Sequence, residues 1–258
     1  MPPIRPVEFD ASQCNGLFID VGANVGDSLA SFYNHRSCSI GPQNVMPQHS
    51  KCAWYWPWWM QLEERKTHCV HAFEPNALLI AQLTTEATKL RRVVGPRIRV
   101  YPATAWSLED GNATFGVDVQ HGVGSSLQLH RHTVGDRNKK GHGPALSEGN
   151  LTTVNTVDGI AFLRSLPTSL PTALKIDVEG HEYELLRGLM LSGALCAHVD
   201  TLFVEWHSVT EGAKGTPRGL DDAMKWMLTT HNPKWEELSG EWRPIGHPLC
   251  RTTLLRWT

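Results

Sequence analysis

Three short segments place acidic side chains directly after apolar runs of the sequence. The segments are residues 20–26, 73–76 and 175–182. In the first of them, Gly22 and Gly26 allow the backbone to turn sharply and to approach a ligand closely. Asp20 precedes these glycines and can accept a hydrogen bond from a hydroxyl or cationic group. The pattern is typical of a ligand-binding loop, and a tight turn without a ligand is the alternative interpretation.

The loop and the second segment together indicate a nucleoside-containing ligand. The order Gly-Ala-Asn-Val-Gly at residues 22–26 lacks one glycine of the fingerprint G-x-G-x-x-G, the glycine that admits a pyrophosphate. A ligand that combines an amino acid with a nucleoside, without phosphate, fits this loop better. Glu74 stands where nucleotide-binding α/β folds place the carboxylate that accepts from both ribose hydroxyls. As an alternative, Glu74 could be an acid whose only role is a favourable interaction with the dipole of the following helix. This alternative does not explain why the glycine loop and the acidic segment occur together in this order.

The third segment runs from Lys175 to Glu182 and begins on a predicted strand. Because side chains alternate along a strand, Lys175, Asp177 and Glu179 should lie on one side of it. Charged side chains on an otherwise apolar strand are paired or functional. An ion pair of Lys175 at the strand end is the alternative interpretation, and it leaves Asp177 and Glu179 facing a ligand.

Strands and helices that alternate along the chain must position these segments. Strands are predicted at residues 16–21, 69–73, 97–101, 173–179 and 199–205, with a short β-like run at 152–155 and a closing strand at 250–257. Helices are predicted at residues 27–33, 77–90, 157–166, 182–190 and 221–230. This order predicts an α/β fold with a mostly parallel sheet, helices on both faces, and ligand binding at the carboxyl ends of the strands.

The composition is that of one globular domain. The chain has 258 residues, of which 41% are hydrophobic and 19% charged, and this excludes a coiled coil, a collagen-like repeat and a wholly disordered chain. A net charge of -2 offers no excess of basic residues, so we expect no nucleic-acid partner. The sequence has no apolar run approaching about 20 residues and no secretory signal at its start, so we expect no membrane span.

Residues 18–26, 71–76, 157–158 and 174–182 resemble the FkbM family of S-adenosylmethionine-dependent methyltransferases. The most specific element of the resemblance is Lys-x-Asp-x-Glu-Gly-x-Glu at residues 175–182. The resemblance implies an α/β Rossmann-like class I methyltransferase sheet of seven strands, the last antiparallel, flanked by helices. It also implies S-adenosyl-L-methionine as donor, S-adenosyl-L-homocysteine as product, and usually O-methylation of a hydroxyl on a sugar, a glycan or a small natural product.

Other functions on the same scaffold are alternatives. N-methylation, or methylation of a protein or peptide group, is not separable from O-methylation because the acceptor pocket is built from variable loops. A third alternative is a non-catalytic module that keeps the cofactor fold as an interaction scaffold. The intact acids at Asp20, Glu74, Asp177 and Glu179 argue against that module. We therefore expect a small-molecule or glycan acceptor as the partner.

The resemblance assigns cofactor-binding residues along the carboxyl edge of the sheet. The first loop would line the methionine moiety, Glu74 would hold the ribose, and the end of the third strand would lie by the adenine. Asp177 and Glu179 would stand near the cofactor amine and the reacting centre. Residues 124–126 resemble a serine-containing stretch that is common in the family. The implied cofactor-binding residues are Asp20, Gly22, Ala23, Asn24, Gly26, Glu74, Pro75, Asn76, Thr104, Ala105, Trp106, Ser125, Ser126 and Asp177.

Catalysis of methyl transfer needs alignment of the two substrates and removal of the acceptor's proton. His207 is the first candidate for the base because a neutral imidazole titrates near physiological pH, and a histidine hydrogen-bonded at a strand end is the alternative. Further catalytic candidates are Glu179, Asp177 and His181. Carboxylates and a histidine at neighbouring strand ends could also hold a metal, but their spacing does not require one, and we expect none.

The spacing of the motifs indicates an insertion. Glu74 follows Gly26 by 48 positions, whereas a compact nucleotide-binding fold separates such residues by roughly 20. We therefore expect a single domain, residues 1–258, with a Trp- and Cys-rich insertion at residues 34–69 after the first helix. A second insertion, residues 109–150, follows the third strand and is expected to contain a β-hairpin and a polar loop.

The first insertion, residues 34–69, carries a cluster of four tryptophans together with Cys38 and Cys52. We interpret it as a lid or acceptor wall because tryptophans offer large stacking surfaces, and a segment packed on itself is the alternative. The two cysteines could pair as a disulfide. Together with His35 and His49 they could instead bind zinc. The irregular spacing of these four residues favours a zinc site less than a disulfide.

In the second insertion, residues 111–118 and 125–129 alternate like an antiparallel pair of strands. Asn112-Ala-Thr and Asn150-Leu-Thr are acceptor patterns for N-glycosylation, which fit a secretory-pathway protein and also arise by chance. The compartment therefore stays open between the cytoplasm and, if an N-terminal anchor was removed, the lumen of the secretory pathway.

Overall fold

The structure is a computed structural model that describes residues 13–34, 62–117, 125, 127 and 151–205, together with the backbone of residues 235–238 and 241–244. Helices and strands alternate along most of this length. The strands are β1 (Gly16–Val21), β2 (His68–Glu74), β3 (Ile98–Pro102), β4 (Thr104–Ser107), β5 (Gly111–Gly116), β6 (Leu151–Asp158), β7 (Thr172–Ile176), β8 (Thr201–Val204), β9 (Trp235–Leu238) and β10 (Glu241–Pro244). The helices are α1 (Asp27–Asn34), α2 (Leu62–Arg65), α3 (Ile80–Val94), α4 (Gly159–Ser165), α5 (Glu182–Leu191) and α6 (Ala194–His198).

The main sheet has the strand order β3-β2-β1-β7-β8-β10-β9 in the part of the chain that the structure describes. The first five of these strands pair in parallel, whereas β10 runs antiparallel to both β8 and β9. The prediction of an α/β fold with a mostly parallel sheet is confirmed. Because the chain moves outward from β1 in one direction and then from β7 in the other, the strand order reverses between these two strands.

Two separate apolar cores cover the two faces of this sheet. Alternation along β1 directs Leu17 and Ile19 into a core that contains residues of α4, α5 and α6. Phe18 faces the opposite way, into a core formed with residues of α1 and α3. All six residues of β1 are buried, as expected for the central strand of a parallel sheet with helices on both faces.

Strand β7 is shorter than the sequence predicts. A strand is expected as far as residue 179, but β7 ends at Ile176. Glu179 and Gly180 have φ values of +55° and +101°, and this left-handed backbone ends the extended conformation. The chain therefore turns at the carboxyl edge of the sheet before α5 begins.

Strand β6 is longer than predicted, and the helix after it begins later. The sequence predicts a short β-like run at residues 152–155 and a helix from residue 157, but β6 continues to Asp158. The carboxylate of Asp158 accepts hydrogen bonds from the backbone N–H groups of Ile160 and Ala161, so this residue caps α4. The helix predicted at residues 221–230 and the strand predicted at residues 250–257 lie outside the described residues.

A second, three-stranded sheet has the order β4-β6-β5. Strand β5 pairs antiparallel with β6, from Gly111 opposite Thr156 to Gly116 opposite Leu151. The predicted partner of this strand is the segment 125–129, of which the structure describes Ser125 and Leu127. Asn112 and Thr114 are both exposed on β5, so the first glycosylation pattern is accessible to solvent.

A disulfide between Cys14 and Cys69 joins the chain just before β1 to the start of β2. Both cysteines are buried, and Cys196 is also disulfide-bonded. The sequence suggested a pair between Cys38 and Cys52, but these two residues lie outside the described part of the chain. The tryptophan cluster at residues 54–59 lies outside it as well.

The first insertion joins the fold at the amino edge of the main sheet. Arg65 of α2 donates to the backbone carbonyls of Ser31 and Phe32 at the end of α1, and Tyr33 donates to the carbonyl of His68 at the start of β2. Both described ends of the insertion therefore lie at the edge opposite the carboxyl ends of the strands. Within the described ranges, no helix combines the length and hydropathy needed to cross a membrane.

Candidate functional site

A cleft opens at the carboxyl edge of the main sheet, where β1, β2 and β7 end side by side. The empty space between its lining residues is about 600 Å³, a figure that includes open solvent at the mouth. The strand order reverses at this edge, and doubly wound α/β sheets bind ligands at such a position. Predicted site residues that line the cleft are Gly22, Asn24, Glu74, Pro75, Thr104, Ala105, Trp106, Ser125, Asp177, Glu179 and His181.

The glycine-rich loop joins the three strand ends. The backbone N–H groups of Gly22 and Ala23 both donate to the carbonyl of Phe73 at the end of β2. Gly22 has a φ of +86°, and a Cβ atom at this position would lie 1.8 Å from the carbonyl oxygen of Asp177. A side chain would therefore break the contact between the loop and the end of β7, so only glycine fits here.

Two backbone N–H groups orient the carboxylate of Glu74 beside this loop. Its Oε2 accepts from the N–H of Asn24 at 2.7 Å, and its Oε1 accepts from the N–H of Asn76 at 2.7 Å. Burial raises the pKa of Glu74 to about 7, although the two N–H donors and the nearby Lys175 oppose this shift. Each carboxylate oxygen has a second lone pair, so Glu74 can still accept two hydrogen bonds from a diol in the cleft.

Three other predicted residues support the cleft from below its surface. Asn76 is fully buried and donates from Nδ2 to Oγ of Ser125 at 3.2 Å. Ala23 is also fully buried and packs in the core with α1 and α3. A Cβ atom on Gly26 would lie 3.2 Å from Cβ of Glu86, so this glycine lets α1 pack closely against α3. The described lining of the cleft does not include these three residues.

Asp20, Lys175 and Asp177 form a chain of charges under the loop. Nζ of Lys175 lies 3.0 Å from Oδ1 of Asp20 and 3.3 Å from Oδ2 of Asp177, and it donates to the carbonyl of Gly22 at 2.6 Å. Burial opposes the charged ammonium, but the two carboxylates outweigh it and raise the pKa of Lys175. Ser28 donates to the other oxygen of Asp20.

This arrangement divides the charged residues between two roles. Asp20 is completely buried and does not line the described cleft, so direct contact with a ligand would require its carboxylate to leave Lys175 and Ser28. Lys175 takes part in the ion pair that the sequence offered as an alternative. Asp177 and Glu179 line the cleft, as that alternative allowed.

The last glutamate of the third motif fixes the turn between β7 and α5. Glu182 accepts from the N–H of Val178 at 3.0 Å and from the N–H of Gly180 at 2.8 Å, one with each carboxylate oxygen. These bonds stabilise the left-handed backbone at Glu179 and Gly180. The sequence interpretation missed this role, because these two hydrogen bonds depend on the turn of the folded chain and have no separate signal in the sequence.

Two side chains at the cleft hold buried nitrogen atoms that have no hydrogen-bond partner among the described residues. They are Nε1 of Trp106 and both ring nitrogens of His181. Buried polar groups in proteins are almost always hydrogen-bonded, so these atoms fit a cleft that a polar ligand completes. Together with Glu74 they offer both donors and acceptors to polar groups in the cleft.

Sequence comparison identifies the family of the protein that carries this cleft. The model of the family described as Methyltransferase FkbM domain matches residues 20–238. The chain belongs to the FkbM methyltransferase family. The matched range of this FkbM domain contains the glycine loop, Glu74 and the third motif.

A solved structure, the methyltransferase FkbM from Methylobacillus flagellatus KT, is similar to this FkbM chain with a TM-score of 0.45 and 13% sequence identity. The similarity covers 89% of this chain and 43% of that chain, so this chain spans less than half the length of that relative. No curated protein matches the chain.

Some parts of the FkbM site were not predictable from the motifs alone. Phe115 and Leu127 line the cleft from the second insertion, and Leu79 lines it from the segment before α3. Of the predicted residues, His207 and Ser126 lie outside the described part of the chain. No cluster of three or more metal-ligating side chains occurs among the described residues.

Proposed function

We propose that this FkbM methyltransferase uses S-adenosyl-L-methionine to methylate a hydroxyl group on a sugar, a glycan or a small natural product. The observation that carries the proposal is the position of Glu74 at the end of β2. Two backbone N–H groups orient its carboxylate, and its remaining lone pairs can accept from the two hydroxyls of a ribose.

The charges of the cleft favour a cationic cofactor over a phosphate-containing one. Glu74, Asp177 and Glu179 line it, whereas none of its described lining residues is lysine or arginine. Pyrophosphate would meet three carboxylates without a compensating side chain. The sulfonium and ammonium groups of S-adenosyl-L-methionine carry positive charge, which these carboxylates would stabilise.

The residues present would divide the cofactor between them. Glu74 would hold the ribose, while Thr104, Ala105 and Trp106 would lie along the base. Gly22, Asn24 and Asp177 would contact the amino-acid end, as the family resemblance implies. When bound, the cofactor supplies an activated methyl group. The protein's own contribution is to align the acceptor with that methyl group and to receive the acceptor's proton.

The acceptor would be bound beside the second insertion. Phe115, Ser125 and Leu127 line the cleft and come from this part of the chain. The alternative proposal, that residues 34–69 form a lid or acceptor wall, requires that insertion to reach across the sheet from its opposite edge. That distance is about 20 Å for strands of six residues.

Calorimetric titration with S-adenosyl-L-homocysteine tests the cofactor. We expect the wild-type protein to bind it and Glu74→Gln to bind it at least about tenfold more weakly, because the amide group presents an N–H where a carboxylate oxygen accepts. Glu63→Gln is the matched control, since this glutamate is exposed on α2 at the opposite edge of the sheet. Binding of NADH in place of S-adenosyl-L-homocysteine would contradict the proposal.

A methyl-release assay with hydroxyl-bearing and amine-bearing acceptors tests the reaction. We expect methylated product from a hydroxylated sugar or natural product, with the new methyl group on oxygen by NMR. Methylation of amine or peptide acceptors alone would favour the N-methyltransferase or protein methyltransferase alternative.

We also propose that the protein matures in an oxidising compartment. Support comes from the buried disulfide between Cys14 and Cys69 and from the disulfide state of Cys196, because such bonds persist mainly in oxidising environments. Alkylation followed by mass mapping of the protein from its natural source tests this proposal. Alkylated thiols at Cys14 and Cys69 would contradict it.

A further inference from the structure

His181 stands between the cleft and the solvent. It follows the turn that ends β7, directly precedes α5, and lines the cleft beside Glu179. Only 7% of its surface is exposed, and in the described part of the protein neither ring nitrogen has a hydrogen-bond partner. A buried polar group without a partner costs about 1–3 kcal/mol, so a ligand that supplies the missing partner would relieve this cost.

The side chain of Glu184 lies close to the imidazole of His181. Oε2 of Glu184 is 3.6 Å from Nδ1 of His181, and the Glu184 side chain is 56% exposed. The ring therefore has one nitrogen near a solvated carboxylate, and its other nitrogen, Nε2, is buried. A base with an acidic group beside its second nitrogen is the arrangement of a proton-accepting pair.

The backbone around His181 is fixed rather than left to a loose loop. Glu182 is fully buried and accepts from the N–H groups of Val178 and Gly180 on either side of the turn. The first turn of α5 places Glu184 three positions after His181, a spacing at which side chains on a helix meet. The two side chains are thus held on one rigid element.

We infer that His181 and Glu184 form a proton-transfer pair that carries the proton of the methyl acceptor from the cleft to solvent. The inference rests on the proposed function and adds the base and the exit route to it. As the acceptor oxygen forms its bond to the methyl carbon, the bond between carbon and sulfur breaks and its electron pair stays on sulfur. The acceptor's O–H proton passes to Nε2 of His181. Nδ1 then gives up its proton through Glu184 to water.

The charges that face His181 suit this role. Burial lowers the pKa of His181, whereas Glu184 and Glu182 on the same helix raise it. From the other elements, Asp177, Glu179 and Glu74 line the same cleft. Burial outweighs these carboxylates and holds the pKa of His181 below its usual value, so the imidazole is neutral at physiological pH. The surrounding carboxylates stabilise the cation that forms when it accepts a proton.

Two other acids of the cleft already have partners for their oxygens. Asp177 is engaged by Lys175, and Glu74 accepts from two backbone N–H groups. His181 presents nitrogen atoms that no described donor or acceptor occupies. This difference favours His181 over Asp177 as the proton acceptor.

NMR of the imidazole rings tests the pair directly. In protein labelled at histidine, we expect S-adenosyl-L-homocysteine to shift the His181 ring resonances, which His181→Gln would identify. We expect Glu184→Gln to lower the ring pKa, because it removes a charge that favours the imidazolium. Glu63→Gln is the matched control and should leave the titration unchanged. An identical His181 titration in wild type and Glu184→Gln would overturn the pairing.

Kinetics test the proton transfer with a hydroxylated acceptor from the methyl-release assay. We expect His181→Gln to lower kcat by about 10²–10⁴ while the Kd for S-adenosyl-L-homocysteine changes by less than about twofold. Glu184→Gln should move the acid limb of the pH–rate profile to lower pH, which a purely structural role would not do. Because Glu184 is exposed, this variant carries the test if His181→Gln fails to fold.

The outcomes separate the two proposals. Wild-type turnover with an unchanged kcat in His181→Gln would overturn this inference alone. A wild-type protein that binds no S-adenosyl-L-homocysteine would overturn the proposed function and the inference together.

Discussion

Glu74 combines a fixed orientation with a pKa that burial raises to about 7, so its protonation state changes within the physiological range. A carboxylate accepts from both ribose hydroxyls only when it is deprotonated. We predict that the affinity for S-adenosyl-L-methionine falls as the pH drops below 7, approaching about tenfold per pH unit once Glu74 is protonated in the free protein. Calorimetry between about pH 5.5 and 8.5 measures this dependence.

Glu74→Gln should bind the cofactor weakly with little pH dependence, and Glu63→Gln should keep the wild-type profile. A Glu74→Gln variant that retains the full pH dependence would assign the titration to another group.

The stability of the ligand-free protein depends on pH in the opposite direction from the affinity. Because the folded-state pKa of Glu74 lies above 4.5, its contribution to stability is present at acid pH and is lost as the pH rises towards 7.

The buried charges at Asp20, Lys175 and Asp177 make a second prediction at the scale of single residues. Lys175→Met should lower the free energy of unfolding by about 3–5 kcal/mol, because it leaves the fully buried Asp20 without a compensating cation. Urea unfolding followed by circular dichroism measures the change.

The double variant Lys175→Met/Asp20→Asn provides the control. Since it removes the uncompensated carboxylate as well, it should be more stable than Lys175→Met alone. If the two substitutions instead destabilise additively, the ion pair does not explain the loss in the single variant.

The elements that form the cleft depend on two glycines in different ways. Gly22→Ala should destabilise by at least about 3 kcal/mol, because its Cβ would collide with the backbone oxygen at the end of β7. Gly180→Ala should cost only about 1–2 kcal/mol, since φ is +101° but no atom of the described residues beyond its chain neighbours lies within 4 Å of the added Cβ. Thermal unfolding compares the two variants. Equal losses would show that the contact between the loop and β7 contributes nothing.

The main elements could be predicted from the sequence because their signals are local. Apolar runs followed by acids placed Glu74, Asp177 and Glu179 at strand ends, and the structure brings all three to one cleft. The predicted end of β7 was wrong. The left-handed backbone at Glu179 is stabilised by the hydrogen bonds of Glu182, and the sequence carries no separate signal for it. A glutamate is an uncommon residue at such a φ.

Contacts between distant parts of the chain were the least predictable. The pairing of β5 with β6 spans the second insertion, and its register depends on which faces become buried in the folded protein. The disulfide between Cys14 and Cys69 was not predicted either, because six cysteines allow many pairings that sequence cannot separate.

At the scale of the whole molecule, this disulfide closes a loop of 55 residues around the first insertion. Because the crosslink restricts the unfolded chain, the double variant Cys14→Ala/Cys69→Ala should lose about 4 kcal/mol of stability. Calorimetric Tm measurements check this loss.

Affinity for S-adenosyl-L-homocysteine is the control for the disulfide variant. It should be retained below the lowered Tm, because the cysteines lie at the amino edge of the sheet and the cleft lies at the carboxyl edge. A Tm equal to that of the wild type would contradict the prediction that the crosslink stabilises the fold.

The opposite placement of cleft and insertion junction has a practical consequence for protein engineering. Helix α1 carries the chain away from the glycine loop, so Asn34 and Leu62, the described residues on either side of residues 35–61, lie at the edge of the sheet opposite the cleft. A fluorescent reporter, an affinity handle or a surface linker inserted between these two residues would therefore leave the mouth of the cleft open. The nearby crosslink between β1 and β2 would anchor the attachment point to the central sheet.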